Sequence, residues 1–136
     1  VILDVACGNL VKLEIFGNDY ETYDGTCIRD YIHVMDLAEA HIRAYEYLID
    51  KDSQFFNLNI GTGKGTSVLE LIRTFERTNN VKIDYSFSKR REGDSPNTVA
   101  DNKFSSEILN WKPKRKLEDM CRDGWKWKTL NLKGYE

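Results

Sequence analysis

Three things are missing from this sequence, and each removes a class of function. There is no surplus of positive charge: 20 Lys and Arg stand against 22 Asp and Glu, a formal net charge of −2. A protein that neutralises a nucleic-acid backbone needs a cationic excess, so no nucleic-acid partner is expected. No apolar run approaches the ~20 residues that cross a bilayer. Residues 1–8 are too short for the apolar core of a secretion signal, so no membrane partner is expected. Cysteine is scarce and badly placed for cross-linking. Cys7, Cys27 and Cys121 are odd in number and far apart, with no CxxC pair. That fits a reducing compartment better than a disulfide framework or a zinc site, so cytoplasm is expected and a metal is not. Internal repeats and low-complexity tracts are absent as well.

What is there is ordinary globular chemistry. With 136 residues, 40% of them hydrophobic, the length suits one domain and can bury a core. The chain begins at Val1 rather than Met, which reads as a fragment or a processed piece. Residues 1–7 read as the end of a helix stopped by Gly8, and residues 13–16 as a short strand. Asn18, Asp19, Asp24 and Gly25 make 18–26 a surface loop. Residues 28–34 alternate apolar and polar, as a half-buried strand does. Asp36 with Glu39 three positions on resembles a capping box and predicts a helix to about Ile49. Its Leu37, Ala40, His41, Ala44, Tyr47 and Leu48 fall at helical spacing and give it one buried face. Residues 55–60 read as a strand running into a glycine-rich turn. Ser67 and Glu70 form an S-x-x-E box that opens a second helix, whose apolar residues include Val68, Leu71, Ile72 and Phe75. A strand is expected over 82–87, a basic loop over 89–96, a helix from Asp101 to Leu109 and a last helix over 117–128. Trp111, Trp125 and Trp127 read as packing residues. Strands alternating with helices place the fold in the α/β class.

Three motifs invite a functional reading and fail it. Gly61-Thr62-Gly63-Lys64-Gly65 sits between strand and helix, where a phosphate loop would sit. It matches neither G-x-G-x-x-G nor the longer phosphate-binding loop, and it reads as a tight turn. Tyr47-Leu48-Ile49-Asp50-Lys51 matches Y-x-x-x-K, in which a lysine lowers a phenol pKa, but no dinucleotide loop precedes it and its tyrosine has a packing role. His33 and His41 fall on different elements, with no carboxylate pattern that would make a metal site.

Two arginine-bearing segments carry more. Arg29 opens a strand beside a polar loop, and Arg90-Arg91-Glu92-Gly93-Asp94 places two guanidinium groups just before a carboxylate. Guanidinium forks suit phosphate oxygens, and an aspartate accepts bonds from sugar hydroxyls. The pairing suggests a grip on a diphosphate and a ribose. A solvated charged loop with a structural Arg–Asp pair is the competing reading.

These segments belong to a longer pattern. Ile15-Phe16-Gly17-Asn18-Asp19-Tyr20, Asp24-Gly25-Thr26 and Arg29-Asp30-Tyr31-Ile32-His33-Val34-Met35-Asp36-Leu37-Ala38 are followed by Asn59-Ile60-Gly61-Thr62-Gly63 and Arg90-Arg91-Glu92-Gly93-Asp94. Leu109-Asn110-Trp111 and Asp123-Gly124-Trp125 complete the series. In this order, across essentially the whole chain, they resemble UDP-glucose 4-epimerases of the extended short-chain dehydrogenase group.

The resemblance implies the C-terminal part of a Rossmann-type NAD-binding fold together with its small mixed α/β substrate domain. Residues 1–136 would be the nucleotide-sugar-binding portion, without the N-terminal NAD-binding portion. It implies that Glu14, Ile15 and Phe16 line the uracil pocket, partly through main-chain groups. Arg29 and Arg91 would clamp the diphosphate, and Asp94 would accept from the ribose. In such enzymes a lysine-tuned tyrosine takes the 4-hydroxyl proton while NAD takes the C4 hydride, and the keto sugar turns before the hydride returns. NAD would be the cofactor of the intact protein, UDP-glucose and UDP-galactose its substrates, and homodimerisation would run through the missing half. No catalytic or cofactor-binding residue is expected in this chain, which alone would be inactive. Residues 95–99 depart from the family's usual run. Thr98 takes a position beside the hexose that is often Tyr or Cys, which opens UDP-N-acetylhexosamines or uronic sugars as alternative substrates. A non-catalytic nucleotide-sugar-binding module is the alternative from another class.

Overall fold

The computed structural model describes residues 1–49 and 51–134. In chain order the elements are α1 (Ile2–Ala6), β1 (Leu13–Phe16), β2 (Ile28–Arg29), α2 (Val34–Ile49), β3 (Thr66–Ser67), α3 (Val68–Asn79), β4 (Tyr85–Ser88), β5 (Asn97–Thr98), α4 (Lys103–Leu109) and α5 (Leu117–Leu130). Strands β1 and β4 pair in parallel, while β2 pairs antiparallel with β3 and parallel with β5. This is the expected mixed α/β class with parallel pairing. Among the described residues no helix is long and apolar enough to cross a membrane.

Two apolar clusters hold these pieces. The larger joins α1, β1, α3 and α5 through Val5, Leu13, Ile15, Ile72, Phe75 and Cys121. Trp125 meets Phe75 edge-on at 5.9 Å, and burial pushes the Cys121 thiol up to about 11, as an inert core cysteine should behave. The smaller gathers Ala40, Leu109 and Trp111, with Leu58 and Ile60 packed against them. Trp111 and Trp125 therefore pack as expected, whereas Trp127 is exposed.

Helix α3 starts where the S-x-x-E box places it. The Ser67 hydroxyl accepts from the Glu70 amide at 3.0 Å. The reciprocal half of the box is rerouted: the Ser67 amide donates to the Tyr23 hydroxyl at 2.9 Å, and that hydroxyl donates to the Glu70 carboxylate at 2.5 Å. A side chain 44 positions upstream does what Glu70 does in a local box.

Four local expectations are corrected. Helix α2 begins at Val34, and its cap is His33, whose Nδ1 accepts from the Met35 amide at 3.1 Å and whose carbonyl accepts from the Leu37 amide. Asp36 instead lies fully buried inside the first turn. It accepts from the amides of Lys114 and Arg115 and from the Arg115 guanidinium at 2.5 Å. Only Ile28–Arg29 of residues 28–34 forms a ladder, because Asp30 turns away to serve the glycine turn. Residues 55–60 form no strand among the described residues; Leu58 and Ile60 are apolar enough, but no neighbouring strand meets them. Helix α4 is capped at Asn102, one residue beyond Asp101, whose carboxylate accepts from the Lys103 amide. The short strand β5 follows the expected 89–96 loop directly.

Candidate functional site

The site is built where β1, β2 and β5 meet the 89–96 loop. Strand β1 alternates burial: Leu13 and Ile15 face the larger cluster, Glu14 is exposed and Phe16 half-buried. Ile15 is 2% exposed, so its side chain belongs to the core and only its backbone remains for a ligand. The Arg91 guanidinium lies 3.7 Å over the Phe16 ring, a cation–π arrangement.

Gly17 ends β1 at φ +85°, and a Cβ there would sit 2.4 Å from the Tyr20 ring and 2.9 Å from Arg90 Cγ. Only glycine fits both the conformation and the space. The chain then turns under Arg90, whose guanidinium lies 4.2 Å over the Tyr20 ring. Arg90 Nε donates to Asp19 Oδ1 at 2.7 Å, and a terminal N–H donates to the Asp19 carbonyl. The Arg90 hydrogen bond holds the Asp19 carboxyl below the ordinary carboxylate range. Burial raises the Tyr20 phenol, with the Cys27 thiol adding to the effect. A depression of about 420 Å³ bounded by Gly17, Asp19, Phe87 and Arg90 opens here.

Arg29 is fixed from the other side. One terminal nitrogen donates to the carbonyls of Ile28 and Ser95 at 2.8 and 2.9 Å, and the other faces Asp94 Oδ1 at 3.6 Å. The Arg91–Asp94 turn closes with the Asp94 amide donating to the Arg91 carbonyl at 3.3 Å, with Gly93 at φ +83°. Thr98 is exposed and stands in register with Arg29 across the β2–β5 pair. The geometry thus joins Arg29, Asp94 and Thr98 in one group and Phe16 and Arg91 in another, with the 91–94 turn between them. Glu14 stays at the exposed face of β1. The Ser95 carbonyl and the Asp19–Tyr20–Arg90 cluster are site components that sequence reasoning missed. Asp19 and Tyr20 had their signal in the Gly17-Asn18-Asp19-Tyr20 segment and Arg90 in the doubled arginine, while the Ser95 carbonyl had none.

The glycine turn does not cradle a phosphate. Its Thr62 and Gly63 amides donate to the Asp30 carboxylate at 2.9 Å each, joined by the Thr62 hydroxyl at 2.5 Å. A Cβ on Gly61 would meet the same carboxylate at 2.5 Å. With its donors spent on a carboxylate, the loop cannot also serve a dinucleotide pyrophosphate. The Y-x-x-x-K match also resolves into packing: Lys51 Nζ sits 5.3 Å over the face of the Tyr47 ring, and Tyr47 meets Phe56 edge-on. Its Asp50 lies outside the described residues. His33 is taken up by Asp123, 3.2 Å from its Nε2.

A larger cleft of about 710 Å³ is lined by Tyr31, Lys64, Arg73, Lys114 and Arg115, among others. It contains none of the seven residues assigned from the sequence. Most of its charges already have partners, as Arg115 has Asp36 and Lys114 has Glu39. The depression beside Arg90 is lined by none of the seven either, but it adjoins Phe16 and Arg91 along the chain.

A family model described as GDP-mannose 4,6 dehydratase matches residues 1–124. The UDP-glucose 4-epimerase of Bacillus subtilis is 44% identical over 135 residues, covering 99% of this chain and 40% of the relative. A solved UDP-glucose 4-epimerase from Bifidobacterium longum, in complex with NAD+ and UDP, superposes with a TM-score of 0.92 at 37% identity, covering 98% of this chain and 39% of that one. The UDP-Glc/GlcNAc 4-epimerase of Campylobacter jejuni superposes with a TM-score of 0.83 at 38% identity, covering 95% and 39%. The chain spans about two fifths of the length of the relatives it matches.

Proposed function

The chain belongs to the GDP-mannose 4,6 dehydratase family, and from that premise we propose that it is the UDP-anchoring portion of a UDP-glucose/UDP-galactose 4-epimerase. What supports this reading is the presence, in two neighbouring stretches of chain, of groups whose chemistry suits the parts of UDP. Phe16 offers a ring at the β1 end for the base. Arg91, resting on that ring, and Arg29 supply cations for the diphosphate. Asp94, 3.6 Å from Arg29, supplies an acceptor for the ribose. Arg29 spends one terminal nitrogen on carbonyls and sets the other against Asp94 in a long ion pair, which a diphosphate could share.

Anchoring at the nucleotide suits a reaction whose sugar must turn over. Binding energy placed on the non-reacting part holds the substrate while leaving the hexose free. The glycine turn does not fit a dinucleotide, because it is already filled by Asp30. NAD and the catalytic serine, tyrosine and lysine are therefore assigned to the part of the relatives' length outside this chain, and no hydride or proton step is derived from its own residues. Conversion of UDP-galactose by this chain alone, above buffer background, would refute that assignment.

In the intact enzyme, Arg29→Ala and Arg91→Ala are each expected to weaken UDP binding. The loss of a charged hydrogen-bond partner, about 1.5–3 kcal/mol, is roughly ten- to a hundredfold. NAD retention is expected to stay unchanged in both. A variant that released NAD yet bound UDP normally would overturn the roles. A second reading, an enzyme that also takes N-acetylated sugars, is favoured by Thr98: a small exposed side chain in register with Arg29 leaves room where a tyrosine would fill it.

A further inference from the structure

Two adjacent arginines in this site have opposite commitments. Arg90 is spent. Its fork is bound to the Asp19 carboxylate and carbonyl, and its face is stacked on Tyr20, a ring only 5% exposed. The Arg91 side chain rests on Phe16 and makes no hydrogen bond or ion pair among the described residues. Its donors are free for a ligand. Arg90 cannot serve a phosphate without abandoning Asp19, and its charge is already balanced there.

We infer that Arg90 is a positioning residue for Arg91: by locking the start of the 91–94 turn onto the 17–20 loop, it holds the free guanidinium over Phe16. This rests on the reading above, in which Arg91 grips the diphosphate. The lock has three independent parts. Gly17 lacks the Cβ that would strike both Tyr20 and Arg90. Its amide donates to the Ser88 carbonyl at 2.9 Å, tying the end of β1 to the residue two before Arg90. The planar guanidinium then bonds in its plane and stacks on its face at once, which a lysine cannot do. Residue 90 is thereby fixed from both sides. Arg91 follows it directly, so its backbone starts from a set position, and less freedom remains to be lost when a diphosphate arrives.

The test is a cycle on the intact NAD-loaded enzyme, measuring UDP and uridine affinity by competition for wild type, Arg90→Ala, Arg91→Ala and the double variant. Arg90→Ala is expected to weaken UDP by about five- to tenfold, to leave uridine within about twofold, and to raise KM with kcat little changed. Since Arg90 acts through Arg91, the double variant should bind UDP as Arg91→Ala does. Asp19→Asn, a change at an exposed carboxylate, should shift UDP affinity in the same direction and covers the case in which Arg90→Ala folds poorly. Multiplying effects in the double variant, or equal loss of UDP and uridine in Arg90→Ala, would overturn the inference while leaving the anchoring role of Arg91 intact. Full UDP affinity in Arg91→Ala would instead overturn the anchoring role, and the inference with it.

Discussion

Asp36 is the most informative stability probe in this chain. Its carboxylate is fully buried, with Oδ2 accepting from the Lys114 and Arg115 amides at 3.1 and 2.9 Å and Oδ1 from the Arg115 guanidinium at 2.5 Å. Burial alone would raise its pKa, but the Arg115 amide and guanidinium and the Lys114 amide outweigh that and hold it below its ordinary value of 3.8. Asp36→Asn keeps an acceptor for the two amides but turns an NH2 toward Arg115. Because Arg115 is 36% exposed, it can swing into water, so the loss is one charge-assisted bond, about 2 kcal/mol. Asp36→Ala also strands the two amides, and the loss rises to roughly 3–5 kcal/mol. The folded-state pKa is the depressed one, so the carboxylate's contribution is complete at neutral pH and fades as pH falls through the folded value. Urea unfolding of wild type and Asp36→Asn at a series of pH values reads this directly. The gap should be full at pH near 7 and shrink below about pH 4. A gap under about 0.5 kcal/mol at neutral pH, or one that does not change on acidification, would refute the reasoning.

Two further perturbations test the site. Gly17→Ala must place a Cβ 2.4 Å from the Tyr20 ring at φ +85°; a left-handed alanine costs about 1–2 kcal/mol and overpacking about 1–3. Chemical denaturation should therefore show a loss of roughly 2–4 kcal/mol, and a variant as stable as wild type would refute the close approach. In the intact enzyme, Thr98→Tyr should cut turnover of UDP-N-acetylgalactosamine relative to UDP-galactose, since filling the space costs about 1–3 kcal/mol, roughly five- to a hundredfold. Equal use of both sugars by the tyrosine variant would remove Thr98 as the gate.

The sequence by itself determined what depends on neighbours within a few residues. The Ser67 cap, the stop at Gly8, the strand at residues 13–16 and the start of α5 follow from side chains that act on their own turn or strand, so their pattern is written locally. The ordered motifs likewise pointed to Arg29, the Arg90–Arg91 pair and Asp94 as candidates, because guanidinium and carboxylate chemistry is legible in the letters. Tertiary structure decided what depends on partners far along the chain. Asp36 reads as a helix cap until Arg115, 79 positions later, claims its carboxylate and His33 takes over the cap. The glycine turn reads as a tight turn, but only the fold shows that Asp30, 32 positions before Thr62, takes its amides. Arg90 and Arg91 are indistinguishable as letters; one is spent and the other free only because Asp19 and Tyr20 fold back beneath the first. A carboxylate or guanidinium declares its charge in the sequence but not its counterpart, and in a folded chain it is the counterpart that sets the role.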